Sequence, residues 1–305
     1  MSKDLISIDQ LSIKDINQIH SSADAFLKSP HKSNKELANK ILINFFFENS
    51  TRTRLSFEIA ARRLGADVVN IDISLSSLKK GEAIEDMAAT INAMSPDFVA
   101  IRHNSSGAVE LIKKYINASV INAGDGTNEH PSQALLDSFI IKKNKGDLSK
   151  IKIAICGDIL HSRVAHSNLK IFKKFGTKIN LITPPTLITK EYISWAKEIY
   201  GAEVYCDISS GIKDVDVIMM LRIQQERMQG CYISSFGEYF KFFGLDHQKL
   251  ASANKGAIVL HPGPINRDIE ISSQLADDRS VSLILPQVEA GVSVRQSVLC
   301  FLKNI

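Results

Sequence analysis

Short apolar runs alternate with amphipathic stretches of helical length almost from end to end, and this alternation constrains the fold more than any other feature. The runs at residues 41–47, 68–73, 98–101 and 120–122 read as strands in the first half. Those at 151–156, 178–182, 203–206, 215–221 and 257–260 do so in the second. Between them lie helical patterns such as 56–64, 84–94, 133–143 and 164–175. A βαβα order demands parallel sheets with helices on both faces, so the fold class is α/β and doubly wound. With 305 residues and roughly 150 per domain, two such domains are expected. The polar break Lys142-Lys143-Asn144-Lys145-Gly146-Asp147 marks the boundary. The expectation is one domain over 1–143, a second over 147–285, and a C-terminal helix over about 286–305 that completes the first.

Composition removes other classes. Lys and Arg number 37 against 33 Asp and Glu, a net charge of +4, too small to argue for nucleic acid. No apolar stretch approaches the ~20 residues that span a bilayer, and Met1-Ser2-Lys3-Asp4 opens no secretory signal. Cys156, Cys206, Cys231 and Cys300 are scattered without a C-x-x-C pair, as expected of reduced thiols in the cytoplasm, with neither a disulfide framework nor a metal site.

In open α/β sheets ligands sit beyond the carboxyl ends of the strands. The segments there are rich in anion-binding residues. Glu48-Asn49-Ser50-Thr51-Arg52-Thr53-Arg54 ends a buried strand just where a helix should start. Backbone N–H groups at a helix start attract anions, and the hydroxyls with Arg52 would complete a phosphate cradle. No P-loop and no G-x-G-x-x-G occur, so neither a nucleoside triphosphate nor a dinucleotide is expected and no cofactor is needed. Arg102-His103 ends another strand. His130-Pro131-Ser132-Gln133 opens a helix with two neutral hydrogen-bonding side chains, suited to an amide or carbonyl.

Seven motifs occur together: S-T-R-T-R (50–54), S-S-x-K-K-G-E (76–82), R-H (102–103), H-P-S-Q-A (130–134), G-D-x-x-H-S-R (157–163), L-R-x-Q-x-E-R (221–227) and H-P-G-P-x-N-R (261–267). In this order and spread over 41–295, the set resembles the aspartate/ornithine carbamoyltransferase superfamily, and within it the catalytic chains of the aspartate enzymes. The resemblance implies transfer of a carbamoyl group from carbamoyl phosphate to the amine of L-aspartate, in pyrimidine biosynthesis. It also implies two α/β domains with the active site in the cleft between them, and a homotrimer with shared sites that joins regulatory or other pathway chains in some members.

By the same resemblance, Ser50, Thr51, Arg52 and Thr53 hold phosphate. Thr53, Arg102 and His130 address the carbonyl oxygen, Gln133 the carbamoyl amide, and Gly263 and Pro264 the rest of that substrate. Arg163, Arg222 and Gln224 receive the aspartate carboxylates. Ser76 and Lys80 enter from a neighbouring subunit, and Glu48 with Arg227 supports closure, Glu48 holding Arg163 and Arg227. Two positions depart from the family pattern: Asn49 stands where proline is frequent, and Gly263 where some members carry a larger apolar residue. The chemistry agrees with this set. Two substrates bring about four negative charges into one site at neutral pH, and Arg52, Lys80, Arg102, Arg163 and Arg222 oppose them. An ornithine-type enzyme would need an acidic partner and S-M-G and H-C-L-P motifs, where this chain has Leu221-Arg222-Ile223-Gln224 and His261-Pro262-Gly263-Pro264. A non-catalytic assembly homologue would have lost Lys80, Arg102 or His130, and all three are present.

Overall fold

Every strand pairing between the named strands is parallel, in two separate sheets. The structure is a computed structural model that describes residues 4–30, 34–72, 83–223 and 235–303. The chain divides into two compact units, Met1–Leu136 with Val288–Ile305, and Asp137–Gln287.

The first unit is built on β1 (Ile41–Phe46), β2 (Asp67–Asp72), β3 (Phe98–His103) and β4 (Ser119–Asp125), in the spatial order β2-β1-β3-β4. Its helices are α1 (Ile13–Lys28), α2 (Thr51–Arg63), α3 (Ile84–Ala93), α4 (Ala108–Lys113) and the start of α5 (Pro131–Lys145). Strands this apolar need cover on both faces. Phe45, Val99, Ile101 and Val120 are fully buried against Ala88, Ile91, Val109 and Ile112. Helix α2 begins at Thr51, earlier than the apolar pattern from Ser56 suggests, because its first turn, T-R-T-R, carries no apolar residue. The C-terminal α-helix, Ile284–Lys303, belongs to the first unit from Val288 onward. There Ser297 Oγ donates to the Ile19 carbonyl (2.9 Å), and the Arg295 guanidinium lies 5.2 Å from the centre of the Phe57 ring.

The second unit orders β7 (Glu203–Tyr205), β6 (Lys178–Ile182), β5 (Lys152–Cys156), β8 (Val217–Met220) and β9 (Ile258–Leu260) in one sheet. Helices α6 (Arg163–Phe175), α7 (Lys190–Tyr200), α8 (Ile208–Gly211), α9 (Phe236–Phe243), α10 (His247–Leu250) and α11 (Ser273–Asp277) complete it. Its core joins Ala154, Ile182, Ile218, Met220 and Val259, all fully buried.

Strand order locates the functional loops. In the first sheet the chain steps outward from β1 to β2 on one side and from β3 to β4 on the other, so the order reverses between β1 and β3. In the second sheet it reverses between β5 and β8. Such switch points open a crevice at the carboxyl ends of the strands. The loops flanking them carry Glu48–Thr53 and Arg102 in one unit, and Arg163 and Arg222 in the other.

Candidate active site

In the first unit, register does the positioning. Phe46 lies opposite Arg102 in the β1–β3 ladder, and Glu48, two residues further, falls on the same side. The Arg102 Nε donates to Glu48 Oε1 at 2.6 Å. Its Nη1 is 3.4 Å from both Thr53 Oγ1 and the Ala123 carbonyl. The guanidinium is thus aimed at the first turn of α2. Both partners are mostly sheltered, with side chains 15% and 22% exposed, which strengthens the pair relative to one on an open surface.

The start of α2 is built unlike the other helix starts. Ser50 occupies the N-cap, yet its side chain accepts no bond from the helix. Every other described Ser, Thr or Asp N-cap does accept one: Ser7, Ser12, Asp147, Ser162, Thr189, Asp207, Ser235, Asp246 and Ser272. An ordinary serine cap would occupy the first-turn amides itself, so this geometry favours the anion reading of S-T-R-T-R over a structural one. Stability gives a test. Ser12→Ala breaks a capping box at α1 and should cost about 1 kcal/mol. Ser50→Ala should change urea-unfolding stability by no more than a few tenths of that. Equal losses at the two positions would mean that Ser50 serves as a cap.

His130 and Gln133 are brought to the same end of the sheet by a turn that Asp125 organises. The buried Asp125 carboxylate accepts from Asn122 Nδ2 (2.9 Å) and Glu129 N (3.1 Å) with one oxygen, and from Gly107 N (2.9 Å) and Asn128 Nδ2 (3.0 Å) with the other. Gly126 follows at φ +50°, and a Cβ there would stand 2.5 Å from the Ser106 backbone nitrogen. Only glycine fits. His130 and Gln133 emerge buried, at 4% and 7% exposure, with His130 Nδ1 3.3 Å from Ser132 Oγ. Glu129 is held by the N-terminal segment, accepting from Ser7 Oγ (2.6 Å) and Ile8 N (3.0 Å). Sequence reading passed over Asp125 and Glu129 as functional residues, although an aspartate between Gly124 and Gly126 is a turn signal.

His103 takes a different part from its neighbour Arg102. Burial pushes its pKa below the usual imidazole range, against the opposing pull of Glu48 and Asp125. Its Nδ1 accepts from Ser105 N (2.9 Å) and its ring packs 4.5 Å from Phe47. His103 is a neutral element of the loop, and the charge of the R-H motif comes from Arg102 alone.

In the second unit, Gly157 follows β5 at φ +129°, and a Cβ on it would lie 3.0 Å from the Leu221 carbonyl. This close approach brings the β5 and β8 loops together. Asp158 then folds its loop by accepting from the backbone N–H and Nδ1 of His161, at 3.2 and 2.9 Å. Ser162 caps α6, which starts with the buried Arg163. Arg222 stands just past β8, half-buried. After β9, His261 Nδ1 accepts from Gly263 N at 2.8 Å, which leaves Nε2 as the donor to Glu270 Oε1 at 3.3 Å. Gly263 and Pro264 are joined by a cis peptide bond in this turn. Ser76, Lys80, Gln224 and Arg227 lie outside the described residues. Within the first unit, Glu48 holds Arg102.

Comparison with known proteins matches two successive domains of one family. The model for the aspartate/ornithine carbamoyltransferase carbamoyl-P binding domain matches residues 3–143, and the model for the Asp/Orn binding domain of the same family matches 149–302. An aspartate carbamoyltransferase catalytic subunit from Parvibaculum lavamentivorans is 50% identical over 298 residues, covering 97% of this chain and 90% of its own. Among solved structures, aspartate transcarbamoylase from Trypanosoma cruzi in complex with carbamoyl phosphate and aspartate superposes with a TM-score of 0.86 at 28% identity, covering 98% of this chain and 96% of that one. The ornithine carbamoyltransferase of Pyrococcus furiosus gives 0.87 at 26% identity, over 100% and 98%. Backbone shape therefore does not separate the two branches, and sequence does. The chain belongs to the aspartate/ornithine carbamoyltransferase family.

Proposed function

We propose that the chain is the catalytic subunit of an aspartate carbamoyltransferase, acting in pyrimidine biosynthesis in the cytoplasm as a homotrimer. The amine of L-aspartate attacks the carbonyl carbon of carbamoyl phosphate. A C–N bond forms, the C–O bond to phosphate breaks, and the products are N-carbamoyl-L-aspartate and phosphate. The observation that carries this reading is the α2 start, where the Ser50 side chain does not cap the helix and Arg102 points into the same turn.

Residues 1–143 with the C-terminal helix take carbamoyl phosphate, and 147–285 take aspartate. Ser50, Thr51, Arg52 and Thr53 hold the phosphate, with Ser76 and Lys80 of a neighbouring subunit. Negative charge grows on the former carbonyl oxygen in the tetrahedral intermediate. Thr53, Arg102 and His130 donate to it, and one such donor is typically worth about 10²–10³ in rate. Gln133, with the backbone at Gly263 and Pro264, orients the carbamoyl group. Arg163, Arg222 and Gln224 take the aspartate carboxylates, for which the planar guanidinium fork is suited. Carbamoyl phosphate is already activated, so the chemistry requires no covalent enzyme intermediate, and the departing phosphate takes the amine proton.

The split between units gives the test. Arg222→Ala should raise the aspartate KM at least about tenfold and lower kcat, while calorimetric titration with carbamoyl phosphate alone shows an affinity within about twofold of the parent. Collapse of carbamoyl phosphate affinity would move Arg222 to the phosphate and overturn the assignment.

A further inference from the structure

Asp137 has no part in the machinery described above, yet it is among the most enclosed charges in the second unit. It sits on α5, whose residues 131–140 are all buried, and its own exposure is 0%. A carboxylate taken out of water this completely requires donors. Two amide side chains supply them. Asn168 Nδ2, on the helix that starts with Arg163, donates to one oxygen at 2.9 Å, and Gln287 Nε2 donates to the other at 2.9 Å. Gln287 passes the constraint on. Its Oε1 accepts the backbone N–H of His261 at 2.9 Å, at the first residue of the turn through Gly263 and Pro264. That turn is held from its far side by the buried Glu270, which accepts from Asn266 N at 3.0 Å and pairs with His261.

The polarity of this chain has one solution. Gln287 must present its NH₂ to the carboxylate and its oxygen to the peptide N–H. Rotating the amide by 180° would set NH₂ against N–H. Asp137 therefore fixes the orientation of Gln287, and Gln287 fixes where the backbone leaves β9. We propose that Asp137 is a positioning residue for the reaction, setting the His261–Pro264 turn through Gln287 so that its backbone meets carbamoyl phosphate. The proposal rests on the assignment of Gly263 and Pro264 to that substrate.

A swap of hydrogen-bond polarity tests it. Asp137→Asn keeps the shape but offers one acceptor to two donors, so one bond is lost. Adding Gln287→Glu restores the pattern: the new asparagine accepts from Asn168 and donates to the new carboxylate, whose second oxygen accepts from His261 N. The buried negative charge moves one link along the chain and none is added. Asp137→Asn should raise the carbamoyl phosphate KM and cut kcat/KM by about tenfold or more, since misplacement of about 1 Å can cost about 10²-fold. The double variant should return to within about threefold of the parent. Ile218→Val, a trim of the same unit's core, should lower Tm without moving KM. If Asp137→Asn does not fold, Gln287→Met keeps the Asp137–Asn168 bond, cuts the link to His261, and should show the same rise in KM. An unchanged KM in a folded single variant overturns the proposal, as does a double variant that regains Tm but not KM. A parent chain that makes no carbamoyl-aspartate overturns instead the function on which the proposal rests.

Discussion

Chains carrying Arg102→Ala should fold but turn over about 10²–10³-fold more slowly, and mixing them with Lys80→Ala chains should restore about a quarter of the sites. The first half of this result follows from geometry. Arg102 is held against Glu48 and directed to Thr53, so in the role proposed for it its loss removes a donor from the developing oxyanion while the buried ladder of β3 stays intact. The second half follows from the proposed sharing of sites. Lys80→Ala chains keep a good Arg102 and lend a defective loop; Arg102→Ala chains do the reverse. In a cyclic trimer any mixture has one junction where a good site meets a good loop. Random equimolar assembly makes about 3/4 of trimers mixed, each with about 1/3 of its sites restored. The two chains are unfolded and refolded together, and subunit exchange is verified by mass. Exchanged trimers without recovery would place Lys80 in its own chain's site or outside any site.

The fold was legible because each strand is built on a short, mostly apolar run bounded by polar loops, as buried parallel strands tend to be. All nine strand positions agree with the structure to within a few residues. A helix start at 50–54 was legible too, and the proposed phosphate role rests on the hydroxyl and guanidinium groups gathered there. What the sequence could not show was pairing across long separations. Glu48 and Arg102 meet because β1 and β3 are neighbours in register, and strand order is not written in either segment. Asp137 was hidden for a related reason. In Gln133-Ala134-Leu135-Leu136-Asp137 it reads as the solvent-facing position of an amphipathic helix, whereas α5 is enclosed on all sides along 131–140. Asp125 was hidden too: one of its four bonds comes from the backbone of another loop, at Gly107, and those from Asn122, Asn128 and Glu129 exist only once the turn has folded.

Specificity for the acceptor is the second large effect. Arg163 and Arg222 are assigned to two carboxylates. Ornithine at neutral pH would bring an ammonium group to the same guanidinium groups, with no acidic residue assigned to receive it, and like charges placed together cost several kcal/mol, or about 10²-fold or more in kcat/KM. The backbone gives no help here, since enzymes of both branches superpose on this chain equally well.

The direct measurement is therefore a competition. The purified full chain is supplied with carbamoyl phosphate and equal concentrations of L-aspartate and L-ornithine, and both carbamoylated products are quantified. The account predicts carbamoyl-aspartate in at least about 10²-fold excess over carbamoyl-ornithine. Formation of carbamoyl-ornithine at an equal or greater rate, or of neither product by a folded chain, would contradict it.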